Sequence, residues 1–236
     1  MHIQDLIIKD KSPIRLEDVF LTPDNLQQIQ QLIKEHLYVE DLKQYGLPVT
    51  HKVLLYGASG CGKTTTAKAI ANTLGKPLII LNLSNIINSR IGETSQHLKQ
   101  VFDRAVRDKA VLFLDEFDQI AKSRGEDDQD VGEMRRLVNT LIQLIDYFPE
   151  ECVLIAASNH VQIIDPAIIR RFQIRISYEL PNQASLDQYY DAILHKFPAE
   201  LHPEYRKYHI SYAEAKDYAF SVVKGRLLLK LEARRA

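Results

Sequence analysis

Short apolar runs alternate along this chain with longer segments in which apolar residues recur every three or four positions. Runs of the first kind have the length of buried β-strands, and spacing of the second kind indicates amphipathic helices. The apolar runs are 52–56 (KVLLY), 77–83 (PLIILNL), 111–114 (VLFL), 152–157 (CVLIAA) and 172–178. The helical segments after the first four are 62–74, 93–107, 131–148 and a short one near Pro166. Strands that alternate with helices in this way predict an α/β fold, a five-stranded parallel sheet with helices on both faces.

The pattern changes after Pro181, where segments 184–197, 211–223 and 226–235 all have helical spacing and no strand pattern follows. Pro198 and Gly225 are expected to mark two of the helix ends, because proline cannot continue a helix and glycine is a good cap. We therefore predict two domains, an α/β core over 1–181 and a small helical lid over 182–236. Ahead of the first strand we expect one helix, over 24–38, and no separate recognition domain.

Composition narrows the choice of partner and compartment. The 236 residues carry 30 Lys and Arg against 31 Asp and Glu, a net charge of −1, so no overall field favours nucleic acid or an anionic membrane. Two cysteines cannot build a disulfide framework. The chain shows neither a signal peptide nor an apolar stretch long enough to span a membrane. We expect a cytoplasmic protein without a membrane partner.

A glycine-rich loop joins the first predicted strand to its helix. Its sequence, Gly57-Ala58-Ser59-Gly60-Cys61-Gly62-Lys63-Thr64, matches the phosphate-binding pattern G-x-x-x-x-G-K-[ST] in the setting that this pattern requires. Glycines allow successive backbone N–H groups to surround phosphate oxygens, and the helix N-terminus adds a positive dipole. Lys63 is suited to the β- and γ-phosphates, and the Thr64 hydroxyl to Mg²⁺. We expect the loop, with the following Thr65, to bind a nucleotide.

Two adjacent carboxylates, Asp115 and Glu116, end the third predicted strand and should lie at the same edge of the sheet as the loop. Asp115 is suited to hold Mg²⁺ through water, and Glu116 to polarise a water molecule for attack on the γ-phosphate. A strand that simply enters a polar loop would show the same two residues. The phosphate loop earlier in the chain favours the catalytic interpretation.

The fourth predicted strand ends in Asn159, which places an uncharged amide at the same edge. Asn159 is a candidate for orienting the attacking water or sensing the γ-phosphate. An asparagine that caps the next turn is the alternative, and the sequence leaves both open.

The order of these motifs, with DEFD at 115–118 and DPAIIRRF at 165–172, resembles the AAA family within the AAA+ ATPases. The resemblance begins at LEDVF (16–20) and covers nearly the whole chain. It implies a P-loop NTPase core with a helical lid that hydrolyses ATP with Mg²⁺. It also implies self-association into a ring, usually a hexamer, with ATP at the subunit interfaces and a protein substrate or adaptor as partner.

Arg170 and Arg171 stand where the family has arginine fingers, which stabilise the transferred phosphoryl group in a neighbouring subunit. The family separates its two arginines by a Pro-Gly-like pair, whereas here they are adjacent. The sequence therefore does not decide which arginine is the finger. A solvated or salt-bridged pair at a helix end is the alternative.

The segment SRIGET at 89–94 occupies the place of the family's pore loop. Members that thread polypeptides carry an aromatic residue two positions before the glycine, where this chain has Arg90. A side chain that grips by apolar contact is thus replaced by a charged one, which leaves the threading of polypeptides open. A plain loop before a helix is the alternative.

Three functions follow from the resemblance. The first is a ring that remodels proteins, chaperone-like or serving a protease or toxin, as in small stand-alone bacterial members. The second is a nucleic-acid machine such as a helicase loader or transposition helper, favoured only if Arg90 and the basic carboxyl-terminal segment line the pore. The basic residues of that segment are Lys224, Arg226, Lys230, Arg234 and Arg235. The third is a switch that binds ATP, assembles, and turns ATP over very little.

Overall fold

A computed structural model describes residues 7–8, 14–87, 94–119 and 128–234. Its strands are β1 (Ile7–Ile8), β2 (Lys52–Gly57), β3 (Leu78–Asn82), β4 (Val111–Asp115), β5 (Val153–Ser158) and β6 (Ile174–Tyr178). They form one sheet in the order β1-β3-β4-β5-β2-β6. β3, β4, β5 and β2 pair in parallel, and β1 pairs with β3 in the antiparallel direction.

The helices within residues 14–177 lie before, between and after the strands. They are α1 (Pro23–Leu37), α2 (Val39–Gln44), α3 (Lys63–Thr73), α4 (Leu83–Ile87), α5 (Thr94–Arg107), α6 (Asp128–Asp146) and α7 (Pro166–Ile169). Two helices follow β6, namely α8 (Gln183–Leu194) and α9 (Tyr212–Ala233). Short 3₁₀ turns occupy Leu16–Asp18, Val161–Ile163 and Ala199–Leu201.

The sheet is buried on both of its faces. Leu112 and Leu114 of β4 pack with buried residues of α5 and α6, among them Phe102 and Leu141. Phe113 alternates to the opposite face, since successive strand residues point to opposite sides. There α3 contacts β4 and β5, and α1 contacts α3. This double burial explains why the strands read as continuous apolar runs.

The chain divides into two compact units, Met1–Gly57 with Lys63–Ser177, and Ala58–Gly62 with Tyr178–Ala236. The second unit has its own apolar core between α8 and α9, in which Leu186 and Tyr190 contact Ala215 and Ala219. Helix α9 begins at a capping box, because the Ser211 hydroxyl accepts from the Glu214 amide and the Glu214 carboxylate accepts from the Ser211 amide.

The predicted α/β fold is confirmed, with all five strands in the sheet and helices on both faces. The prediction of two helices over 211–223 and 226–235 is wrong, because α9 continues through Gly225. The leucines, lysine and arginine around Gly225 favour helix strongly enough to offset the loss of about 1 kcal/mol that glycine causes. Strand β1 and helices α2 and α4 were not predicted from the sequence.

Some expectations concern residues that the structure does not describe. Positions 89–93 of the SRIGET segment, with Arg90, lie outside the described residues, as does Arg235. Among the described residues, none of the helices is both long and apolar enough to cross a membrane.

Candidate nucleotide-binding site

The parallel sheet aligns the carboxyl ends of three strands that carry predicted site residues. β5 lies between β4 and β2, with Tyr56 opposite Ser158 and Leu114 opposite Ala156. Consequently Gly57, Asp115 and Asn159 emerge at one edge of the sheet. Ligands of open α/β sheets bind at this edge, so the register alone brings the predicted residues together.

The phosphate loop has the backbone that its sequence predicts. Gly57, Gly60 and Gly62 all have positive φ angles, of 121°, 72° and 103°, in a region that side chains other than glycine rarely adopt. Helix α3 then begins at Lys63, with Thr64 and Thr65 in its first turn and partly exposed. The start of a helix after such a loop is a ready site for phosphate oxygens.

The Lys63 side chain is only 8% exposed although it carries a charge. Its ammonium group donates a hydrogen bond of 2.8 Å to the carbonyl oxygen of Gly57, the first residue of the loop. This bond holds the ammonium group close to the start of the loop. A buried lysine needs partners of this kind, because the desolvation of an ammonium group is costly. Lys63 is therefore positioned, and not a mobile surface cation.

Asp115 and Glu116 form a sharp corner after β4. The Glu116 amide donates to Asp115 Oδ1 at 2.9 Å, and Glu116 has a φ of 54°. A non-glycine residue in this left-handed region stores strain of about 1 kcal/mol or more, and such strain clusters at functional sites. The chain therefore turns sharply at these two carboxylates, where β4 ends.

The electrostatics of Asp115 match a cation site. Burial raises the pKa of its carboxyl group, and the neighbouring Glu116 charge adds to the increase. The Glu116 amide and the Lys63 ammonium oppose it. A carboxylate that is partly desolvated beside a second acid gains from a nearby cation such as Mg²⁺.

A buried acid that the site prediction did not include is Asp118, which is only 3% exposed. Its Oδ1 accepts hydrogen bonds from the Ser158 hydroxyl at 3.0 Å and from the backbone amide of Asn159 at 3.3 Å. Asp118 thereby links the segment after β4 to the end of β5. The DEFD motif contained this residue, but only the fold brings it next to Asn159.

The Asn159 side chain is exposed, and its side-chain amide group has no hydrogen bond to the described part of the chain. The next turn begins at His160 and has no side-chain cap. The capping alternative is therefore not observed, and the amide is available to a ligand.

The two arginines lie at the end of α7, where Arg170 is exposed and Arg171 is partly buried. Their backbone amides close the last turns of the helix by donating to Pro166 and Ile168 carbonyl oxygens. Within the described part of the chain, neither arginine forms a hydrogen bond or ion pair with Lys63, Asp115 or Glu116.

The residues present fit a nucleoside triphosphate with Mg²⁺. Within the first unit, the first turn of α3 offers backbone N–H groups, Lys63 offers a cation, and Thr64 and Asp115 offer the oxygen ligands that Mg²⁺ prefers. The middle of the loop, Ala58–Gly62, belongs to the second unit, where the Ala58 amide donates to the Tyr178 carbonyl oxygen at 2.8 Å.

A doubly covered parallel sheet with this loop, and with acids at its carboxyl edge, defines the P-loop class of nucleotide-binding proteins. Residues 53–180 match the sequence profile of the ATPase family associated with various cellular activities, AAA. The chain belongs to the AAA family.

Curated relatives agree with this assignment. The chain is 35% identical to an uncharacterized AAA family ATPase, y4kL, of Sinorhizobium fredii, over 79% of this chain and 56% of that protein. It is 32% identical to the proteasome-associated ATPase of Streptosporangium roseum, over 86% of this chain and 38% of that protein. The chain thus spans little more than half the length of the first relative and about two-fifths of the second.

Proposed function

We propose that this protein hydrolyses ATP to ADP and phosphate, as an assembly in which each active site is shared by two subunits. The observation that carries the proposal is the common edge of the sheet, where Lys63, Asp115 and Glu116 converge within one unit of the chain. Family membership supports it, since the AAA family is a family of ATPases.

The loop residues hold the substrate in this proposal. The glycine backbone and the α3 N-terminus bind phosphate oxygens, and the Lys63 ammonium exchanges its contact with the Gly57 carbonyl for the β- and γ-phosphates. Thr64 and Asp115 would hold Mg²⁺, which when bound neutralises charge on the phosphate oxygens.

Glu116 acts on the attacking water. In this proposal its carboxylate, which follows Asp115 in the chain, accepts a proton as the water attacks the γ-phosphate. Asn159 donates or accepts a hydrogen bond that orients the same water or the γ-phosphate. Asp118 positions the Asn159 backbone through the hydrogen bond between them.

A cation from a neighbouring subunit completes the site. Charge spreads over the equatorial oxygens in phosphoryl transfer, and an arginine finger supplied in trans raises the rate by about 10³ to 10⁵ in other enzymes of this kind. Arg170 and Arg171 are the candidates. A site that takes its arginine from a neighbour requires head-to-tail association of subunits, and this association forms a ring when the rotation between subunits closes.

The use of ATP turnover is proposed to be the remodelling of a protein partner. The support is similarity to proteins named proteasome-associated ATPases, which is partial because the alignments cover about two-fifths of their length. Two basic residues of the carboxyl-terminal helix that the nucleic-acid alternative would use are paired with acids within the chain. Arg226 is bound to Glu204 there, at 2.8 Å, and Lys230 to Glu200.

Complementation of inactive variants tests the shared site. The Arg170→Ala/Arg171→Ala double variant keeps its own Glu116, and Glu116→Gln keeps both arginines. Each alone should be inactive, but an equal mixture should regain roughly a quarter of wild-type turnover, because random mixing restores that share of heterologous interfaces.

A mixture of Glu116→Gln with Lys63→Ala is the matched control, because both variants are defective on the same side of the interface. It should regain nothing. If the first mixture also stays inactive, the site is not shared. If the wild type binds ATP without turnover, the protein is an assembly switch.

A further inference from the structure

Arg171 is tied to its own subunit by its side chain. Its Nε donates a hydrogen bond of 2.8 Å to Asp146 Oδ1 at the end of α6, and its Nη1 donates to the Ala167 carbonyl oxygen at 2.5 Å. The side chain is 29% exposed. A guanidinium held by two bonds in a fixed fork joins the short α7 to the end of α6.

The anchor for Arg171 is itself held in place. The Lys52 ammonium, at the start of β2, donates to the Asp146 carbonyl oxygen at 3.3 Å. The amide of Gln173, two residues after Arg171, donates to the Lys52 carbonyl oxygen at 3.0 Å. Asp146, Arg171 and Lys52 thus fasten the segment around α7 to the sheet and to α6.

Arg170 has a different environment. Its side chain is exposed, and in the described part of the chain its guanidinium takes part in no ion pair or hydrogen bond. Its backbone closes the last turn of α7 through the Pro166 carbonyl oxygen at 3.1 Å. The backbone position of Arg170 is therefore fixed by the helix end, while its guanidinium is available to bind a group outside the described part of the chain.

We propose that the two arginines divide the work: Arg170 is the finger that enters the neighbouring site, and Arg171 is a positioning residue that aims it. This inference rests on the proposed shared site. To reach a neighbour, Arg171 would have to leave a charge-assisted bond to Asp146. Arg170 needs to break no such bond. When Arg171 holds α7 against α6, the turn that carries Arg170 keeps one orientation.

The division predicts a specific pattern in steady-state kinetics. Arg170→Ala should lower kcat by about a hundredfold or more and leave the KM for ATP within about twofold, because the finger acts on the transition state. Arg171→Ala and Asp146→Ala should each lower kcat by a smaller factor, and the loss in Arg171→Ala should be at least as large because this change also removes the bond to the Ala167 carbonyl oxygen. Their double variant should be no worse than Arg171→Ala alone, since both changes break the bond between Arg171 and Asp146.

Two further variants complete the experiment. Arg171→Lys retains a cation for Asp146 and should have a kcat close to that of wild type. This variant still tests the inference if Arg171→Ala folds poorly. Arg175→Ala, an exposed arginine of β6, is the matched control and should turn over like wild type.

The inference is overturned if Arg171→Ala loses as much kcat as Arg170→Ala while Asp146→Ala behaves like wild type. Multiplicative losses in the double variant would also overturn it. If Arg170→Ala and Arg171→Ala both match wild type in the assembled state, the proposed shared site itself fails, which is a distinguishable result.

Discussion

The carbonyl oxygen of Gly60, in the middle of the phosphate loop, accepts a hydrogen bond of 3.1 Å from the backbone amide of Ala213, in the first turn of α9. The first amides of a helix have no partner within the helix, so the loop supplies one of them. Both residues belong to the second unit. The geometry of the loop is thus linked to the start of the last helix.

Gly60 is expected to tolerate no side chain. A Cβ at this position would lie 2.7 Å from Ser211 Oγ and 2.9 Å from Ala213 Cβ, and the φ of 72° is already unfavourable for alanine. Gly60→Ala should lower the free energy of unfolding and weaken ATP binding, as measured by denaturant unfolding and nucleotide titration.

Gly46→Ala separates backbone strain from crowding. Gly46 has a similar φ of 68°, and a Cβ added there would have nothing within 4 Å, so this variant should lose only about 1 kcal/mol and keep its ATP affinity. Equal losses in the two variants would show that the approach of Gly60 to Ser211 is unimportant.

Asp118 is expected to matter for turnover and not for ATP affinity. Asp118→Ala removes the acceptor for the Ser158 hydroxyl and the Asn159 amide, so kcat should fall by about tenfold to a hundredfold as Asn159 loses its position. Asp118→Asn keeps an oxygen at this site and should retain more activity. A rise in KM without a change in kcat would contradict a positioning role.

Substitutions of Lys63 and of Glu116 should affect different steps, the first ATP binding and the second ATP hydrolysis. Lys63→Ala should weaken ATP binding by at least about tenfold, because it removes the cation held at the loop. Glu116→Gln should bind ATP normally and hold it without turnover. Lys34→Ala, an exposed lysine of α1, is the control for loss of one charge. Unchanged turnover in Glu116→Gln would remove Glu116 from the mechanism.

A buried histidine pair predicts loss of stability in acid. Burial lowers the pKa of His36 from 6.5 to about 4, helped by the Lys76 charge and by His51 and opposed by Glu35. Its Nε2 lies 3.1 Å from the Thr50 carbonyl oxygen, and its Nδ1 is buried without a described partner. The folded state therefore favours the neutral ring.

The unfolded chain binds a proton at His36 more readily, so the free energy of unfolding should fall as the pH drops from about 6.5 to about 4. The loss assigned to His36 is about 3 kcal/mol. His36→Gln should lose that part of the pH dependence and keep the part from His51, whose pKa burial also lowers. An unchanged pH profile in urea unfolding would contradict this assignment.

The sequence predicted what depends on local pattern, and missed what depends on distant neighbours. The apolar runs predicted β2 to β6 because strands buried on both faces need continuous apolar residues. Ile7–Ile8 is too short to show a period, so β1 was missed. Gly225 was overvalued as a helix end, since glycine disfavours a helix without forbidding it.

The site shows the same contrast. The loop and Asp115–Glu116 are contiguous motifs, which the sequence can present whole. Asp118 meets Ser158 only through the pairing of β4 with β5, 40 positions apart. Arg170 and Arg171 are adjacent in sequence, yet only Arg171 reaches Asp146, because neighbouring residues at a helix end point in different directions.

The most direct test measures steady-state ATP hydrolysis per subunit against protein concentration, with molecular mass followed by light scattering and Glu116→Gln as the inactive control. We predict that specific activity rises as subunits assemble, because each site needs a neighbour's arginine. Specific activity that is constant from monomer to assembly would contradict the shared site, and negligible turnover at every concentration would contradict the ATPase assignment.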